Sequence, residues 1–315
     1  MTSREEPNRP QALQNKGYRG RFAPSPTGPL HFGSLVTAIA SYLEARCNHG
    51  EWLVRIEDLD PPREVAGADT DILRALDAHG FEWDEEPLWQ STRLDIYASA
   101  LNELHASDLA YVCHCTRKQL SGLAKPGPLG QIYPGICSKE NHLFDTRHAI
   151  RLRTHETAVS FNDKLQGHTE LNLHKNVGDF LLRRGDGLAA YHLAVTVDDA
   201  LQNITDVVRG SDLLMSTPCH IHLQRSLGYA EPRYMHLPIA TDASGKKLCK
   251  RGGADELDLA LAGVNLLRGM RFLGLSPPIE LENAGIAEIW LWARDSWSIE
   301  PLRGVLERPE IGHLK

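Results

Sequence analysis

Three groups of residues in this 315-residue chain have types and spacings suited to chemistry. The run PLHFGS at 29–34 leads from a Pro/Gly loop into a helical pattern. Such a junction offers free backbone N–H groups and the positive end of a helix dipole to a ribose-phosphate. There His31 can donate to phosphate oxygens as a transition state forms, and Gly33 lets a nucleotide approach the backbone. The run GKKLCKR at 245–251 places Lys247 and Lys250 after Gly245, and lysines so placed suit a phosphoryl-transfer transition state from which pyrophosphate departs. Cys113, Cys115 and Cys137 are three soft ligands in a turn-rich segment. That density of thiolates favours a closed tetrahedral structural Zn²⁺, with His114 and His142 open as fourth ligands by chemistry alone. Cys47 and Cys219 sit in helical or apolar contexts and are expected as small core residues.

These groups need elements to position them. A short strand at 20–22 breaks into the loop, because Pro24, Pro26, Gly28 and Pro29 do not fit a regular helix. Leu35, Ala38, Ile39, Tyr42 and Leu43 recur at helical spacing over 34–46, Asn48 to Gly50 stop that helix, and EWLVRI at 51–56 reads as a strand. Strand, loop, helix and strand form the building block of a parallel sheet. Helices follow at about 68–79 and 93–107. From 113 to about 184 the segments are short, with strand alternation at 148–154, which reads as an insertion. YHLAVTV at 191–197 reads as a strand, with a second strand at 203–209. A helix then runs from 216 to 227, with Ser216 or Thr217 as N-cap and Pro218 at its first position, and further helices are expected at 257–272 and 284–296.

The predicted fold class is therefore α/β: a Rossmann-like parallel-sheet domain split by a zinc-braced insertion, with a short helical C-terminal region. The expected divisions are a loose tail at 1–17, the parallel-sheet domain at 18–112 and 185–251, the insertion at 113–184, and the helical region at 252–315. A chain of this length exceeds a single average domain. Hydrophobic residues at 42% and charged residues at 24% match a globular protein. No apolar run is long enough to span a bilayer, and the polar N-terminus has no signal core, so no membrane association and a cytoplasmic setting are expected. Six cysteines are too sparse for a disulfide scaffold. The formal charge of −7 argues against bulk attraction to nucleic acid, but it is uneven. Residues 51–108 hold 15 acidic and 4 basic side chains, which leaves the remainder slightly basic. The stretch 139–184, with 8 basic and 6 acidic residues and five histidines, supports modest phosphate contact.

Taken together, HFGS at 31–34 and KLCKR at 247–251 resemble the signature pair of class I aminoacyl-tRNA synthetases. RFAPSPTG at 21–28, VRIED at 54–58 and VRG at 208–210 resemble the glutamyl branch of that family. RIEDLDPPR at 55–63, the cysteine cluster and the early chain end resemble the short members that attach glutamate to queuosine in tRNA(Asp) and lack an anticodon-binding domain. The likeness covers 18–252 well and the rest weakly.

It implies a glutamate site of Arg21, Ala23, Ser25, Glu57, Tyr191 and Arg209. A guanidinium is suited to a carboxylate, and Glu57 supplies the counter-charge for the α-ammonium. The likeness also assigns His31, Gly33 and Lys250, helped by Lys247, to ATP and catalysis, with Mg²⁺ accompanying ATP and no ligand for it nominated. Tyr133 matches the family's pattern as fourth zinc ligand. L-glutamate, ATP and queuosine-bearing tRNA(Asp) are the implied partners of a monomer. The other readings are a short synthetase charging a tRNA 3′ end, and an inactive paralogue serving as a binding module. Ser34 stands where the general signature ends in His, Cys249 where it has Ser, and Ser211 where the branch usually carries Glu.

Overall fold

The computed structural model describes residues 17–140, 142, 144, 148–156, 158–242, 245 and 256–310. Lys247, Cys249, Lys250 and nearly all of the expected tail therefore lie outside the described residues. In chain order, β1 (Arg19–Phe22), α1 (Phe32–Cys47) and β2 (Glu51–Ile56) form the expected unit, with Arg19 opposite Glu51 and Phe22 opposite Val54 in parallel register. Next come α2 (Ala68–Ala78) and β3 (Leu88–Trp89), which extends the sheet beyond β2. α3 (Leu94–Ala106) closes the first half.

The following stretch is mostly antiparallel. It comprises β4 (Ala110–Cys113), α4 (Arg117–Ser121), β5 (Lys125–Gly127), β6 (Gly130–Ile132), β7 (Ala149–Leu152), β8 (Ala158–Asp163), β9 (Gly167–Asn172), α5 (Leu173–Asn176) and β10 (Leu181–Arg183). β7 lies between β4 and β10, and β5–β6 and β8–β9 are hairpins. The α/β pattern then resumes with α6 (Tyr191–Leu201), β11 (Asp206–Gly210), α7 (Thr217–Ser226), β12 (Arg233–Leu237) and β13 (Ile239–Thr241). β12 pairs in parallel with β11, and Thr205 N–H donates to Arg19 O at 2.9 Å, holding β11 beside β1. The chain continues through α8 (Ala262–Phe272), α9 (Ile286–Ser296) and β14 (Glu307–Pro309), which pairs with β13.

α1 is buried on nearly every side, as a helix apolar all round must be. One side packs on β1, β2 and β11, and the other on α8 and α9. A Cβ on Gly269 would meet Ile39 Cδ1 at 2.5 Å, so the close approach of α8 to α1 depends on that glycine. Trp52 stacks on Phe81 at 5.4 Å between ring centroids, and Tyr42 and Trp290 pack edge-on to the pair. The C-terminal helices are thus part of the main core. A second core joins α3, α6 and α7 to the antiparallel strands, and a third contains only Tyr111, Cys113, Tyr133 and Cys137 as buried members.

Three expectations are corrected. Residues 191–197 are helical, not extended. A short run of Leu, Val and Thr does not distinguish a strand from a buried helix by pattern alone, and here packing against α3, α7 and β10 decides. Ser216 stands at the N-cap position of α7 but makes no side-chain cap, because a 3-10 turn (Ser211–Ser216) runs straight into the helix and leaves Ser216 with helical dihedrals. Cys47 is exposed at the last residue of α1, its thiol against Arg294 O at 3.5 Å, while Cys219 is buried as expected.

Candidate active site

The parallel strands end on one edge, where α/β sheets place their ligands. β1 delivers Arg21, β2 leads to Glu57, β11 carries Arg209, and the start of α6 carries Tyr191. The loop after β1 is pinned by Glu57 N–H donating to Pro24 O (2.9 Å) and Val65 N–H to Pro26 O (2.9 Å), with Gly28 at a φ of +133°. Arg21, Ala23, Ser25, His31, Gly33, Glu57, Tyr191 and Arg209 all line a single cleft of about 580 Å³.

His31 is the N-cap of α1. Its Nδ1 accepts from Ser34 N–H at 3.4 Å, which leaves Nε2–H to donate to Ser34 Oγ at 3.1 Å. The serine that replaces the signature's last histidine thus orients the first one. Ser211 donates to Leu306 O and does not line the cleft.

Beneath the cleft is an ion network that sequence reasoning missed. Arg21 binds Asp199 through Nε (3.0 Å) and Nη2 (3.4 Å). Arg55, with 0% exposure, reaches the same Asp199 at 2.8 Å and Glu57 at 3.4 Å. Burial alone would lower the Arg55 guanidinium, but Asp199, Glu57 and Asp198 hold it above its ordinary value. Burial raises the Glu57 carboxyl above its ordinary value against the pull of Arg55 and Arg21, so a ligand ammonium beside it would favour the ionised form. Asp198 accepts from Gln90 (2.8 Å), Arg93 (2.7 Å) and Tyr97 (2.7 Å), fixing α6 against α3. The signal available in the sequence was Asp198-Asp199 inside an apolar run, since buried carboxylates need partners.

Arg209 is held differently. Nε donates to His236 Nε2 (3.0 Å), Nη1 to His220 Nδ1 (3.1 Å) and the Tyr191 hydroxyl oxygen (3.3 Å), and Nη2 to Thr217 Oγ1 (2.8 Å) and Leu213 O (3.3 Å). Because the Tyr191 oxygen accepts from Arg209, its own proton is available to the cleft. Burial raises the pKa of that hydroxyl above the phenol value despite Arg209, so it stays a donor at neutral pH. A pocket with these donors and the Glu57 carboxylate can hold a molecule bearing both an anionic and a cationic group.

The cysteine cluster lies in the third core. The Cys113, Cys115 and Cys137 sulfurs are all within 4.8 Å of one another. The Tyr133 hydroxyl lies 3.4 Å from Cys113 Sγ and 3.6 Å from Cys115 Sγ. Three convergent thiols beside a hydroxyl form a donor set that could hold a metal ion. His142 lies nearer Cys137 and Glu140, while the His114 ring stacks between those of His142 and His148.

Residues 18–275 match the family model described as tRNA synthetases class I (E and Q), catalytic domain. A protein named Glutamyl-Q tRNA(Asp) synthetase from Dechloromonas aromatica is 51% identical over 288 residues, covering 91% of this chain and 96% of that one. One of the same name from Pseudomonas fluorescens is 48% identical over 299 residues, covering 95% and 98%. The structure of a glutamate tRNA ligase from Elizabethkingia meningosepticum, in complex with its amino acid, superposes with a TM-score of 0.76 at 25% identity over 94% of this chain and 67% of that one. With that extent of match and the cleft it coincides with, the chain belongs to the class I tRNA synthetase family for Glu and Gln, and within it to the glutamyl-Q tRNA(Asp) synthetases.

Proposed function

We propose that this enzyme activates L-glutamate with ATP and transfers it to the queuosine base of tRNA(Asp). The observation that carries the reading is the single cleft that gathers Arg21, Ser25, Glu57, Tyr191 and Arg209 beside His31 and Gly33, in a chain with near-full-length relatives named for that reaction. The substrate carboxylates would face Arg209, Tyr191 and Arg21, and the ammonium Glu57. An oxygen of the glutamate α-carboxylate attacks the α-phosphorus of ATP, pyrophosphate leaves, and glutamyl-adenylate forms. A hydroxyl of the acceptor then attacks the acyl carbon and AMP leaves. Positioning and charge stabilisation drive both steps. His31 and Gly33 would hold the phosphate-ribose region, with Mg²⁺ accompanying ATP. Lys250 and Lys247 are proposed from their signature to meet the departing phosphates.

Cys113, Cys115, Cys137 and Tyr133 would hold a structural Zn²⁺, which braces the insertion at 113–184 that faces the RNA. The remaining divisions proposed are a tail at 1–17, a catalytic domain at 18–112 and 185–251, and a helical region at 252–315. No helix among the described residues is long and apolar enough to cross a membrane, and we take the working form to be a cytoplasmic monomer. Glutamate-dependent ATP–pyrophosphate exchange in the absence of tRNA tests the activation step. Exchange with glutamate, depressed in Lys250→Ala, is expected; its absence in the unmodified protein would remove the enzyme reading.

A further inference from the structure

The two cleft arginines differ in how their charge is balanced. Arg21 and Arg55 share Asp199, and Glu57 lies against Arg55, so these four charges sum to zero. Arg209 is only 5% exposed, yet its hydrogen-bond partners are a tyrosine hydroxyl, a threonine hydroxyl, a backbone carbonyl and two imidazoles. Among the described residues no carboxylate comes within ion-pairing distance of it. Its counter-charge is one ring removed. His236 Nδ1–H donates to Asp163 Oδ2 at 2.6 Å, while Nε2 of the same ring accepts from Arg209.

We propose that Asp163 and His236 are positioning residues that lock one imidazole tautomer, so that Arg209 is oriented by a neutral acceptor and keeps its charge for the substrate carboxylate. This rests on the glutamate-site reading above. Asp163 is fixed independently of the imidazole: its Oδ1 accepts from the N–H groups of Leu165 (3.0 Å), Gln166 (2.9 Å) and His236 (3.2 Å). Only Oδ2 is then left for the ring, and an acceptor there requires the proton on Nδ1. Burial pushes His236 down to about 4, with Arg209 acting in the same direction and Asp163 and Asp212 in the opposite one, so the ring is neutral at physiological pH. His220 completes the pattern: its Nδ1 accepts from Arg209, and its Nε2–H donates to His192 Nδ1 at 3.0 Å. Asp163 ends β8, so the tip of the β8–β9 hairpin reaches from the inserted segment to the amino-acid pocket through one histidine.

The test compares Asp163→Asn, His236→Glu and His236→Gln in ATP–pyrophosphate exchange without tRNA, reading the KM for glutamate and for ATP separately. In Asp163→Asn the amide oxygen stays with the backbone N–H groups and the NH₂ turns to the ring, which forces the proton onto Nε2 against Arg209. The glutamate KM is expected to rise about tenfold or more while the ATP KM holds, the scale of one charge-assisted hydrogen bond. His236→Glu places a carboxylate directly on Arg209 and should raise the glutamate KM as much and narrow the preference for glutamate over glutamine. His236→Gln, which keeps a neutral acceptor, should recover most of that loss. Imidazole ¹⁵N spectra of the unmodified protein at neutral pH should show His236 neutral with the proton on Nδ1. Natively melting Asp163→Asn and His236→Glu variants with an unchanged glutamate KM, or a charged or Nε2–H His236, would overturn the inference. A lack of glutamate-dependent exchange in the unmodified protein instead marks failure of the functional reading, and the ¹⁵N spectrum separates the two outcomes even if the variants do not fold.

Discussion

Beneath the cleft, Arg21 and Arg55 converge on Asp199 at 3.0 and 2.8 Å, so these two buried cations have a carboxylate partner within the chain. In the cysteine cluster, three thiols crowd within 4.8 Å of one another, and the Arg151 guanidinium donates to Cys113 Sγ at 3.2 Å and lies over the Tyr133 ring. Like charges that close oppose ionisation, so the three groups would all ionise only with a shared cation. The surrounding cores differ in the same way: the cleft rests on a sheet packed by α1, α8 and α9, and the cluster on four buried residues. The ion network is balanced by the chain's own groups, whereas the cysteine cluster is a donor set that could hold a metal ion.

The sharpest way to break this contrast is to remove the charge at the centre of the cleft. Asp199→Ala leaves Arg21 and Arg55 buried without their shared partner, which is expected to cost about 3–5 kcal/mol. Urea unfolding measures it, and a cost below about 1 kcal/mol would show that the network does not hold the cleft.

Acid should act on the same region next. His192 and His236 titrate near 4 in the folded protein, burial being the first cause, against about 6.5 unfolded. Between those values the unfolded chain binds more protons, so stability is full above about pH 6.5 and falls as the pH drops toward 4, on the order of 3 kcal/mol per histidine. A melting temperature that stays flat from pH 7 to pH 4.5 would refute buried neutral imidazoles beside Arg209.

Metal removal should sharpen the other side. Chelation is expected to make Cys113, Cys115 and Cys137 reactive to a thiol reagent and to open residues 113–140 to proteolysis, while the urea midpoint of the main core moves by less than about 1 kcal/mol equivalent. Global unfolding on chelation would show that the two regions are not independent. The smallest effect belongs to Cys47→Ser: its thiol is exposed, so a change within about 0.5 kcal/mol is expected in the same urea series.

The cleft was legible in the sequence to the extent that it is local. The loop from Arg21 to Gly33 and the strand before Glu57 are contiguous, so their residue types and turn chemistry point to one strand-to-helix junction. Tyr191 lines the cleft from a helix and not from a strand, because 191–197 reads equally as strand or buried helix until its packing is known. The supports of Arg209 left no local signal. Asp163, His220 and His236 lie 46, 11 and 27 residues away along the chain and meet it only when β8, α7, β11 and β12 assemble. Arg55 was in view within its motif, but its pairing with Asp199 spans 144 residues. Lys247 and Lys250 fall outside the described residues, so their part in the cleft rests on the signature alone.

The most direct measurement is transfer of labelled glutamate to tRNA(Asp) with and without queuosine, followed by digestion to nucleosides. Label is expected on the queuosine nucleoside and none on tRNA that lacks it. Label on the 3′-terminal adenosine, independent of queuosine, would contradict transfer to queuosine.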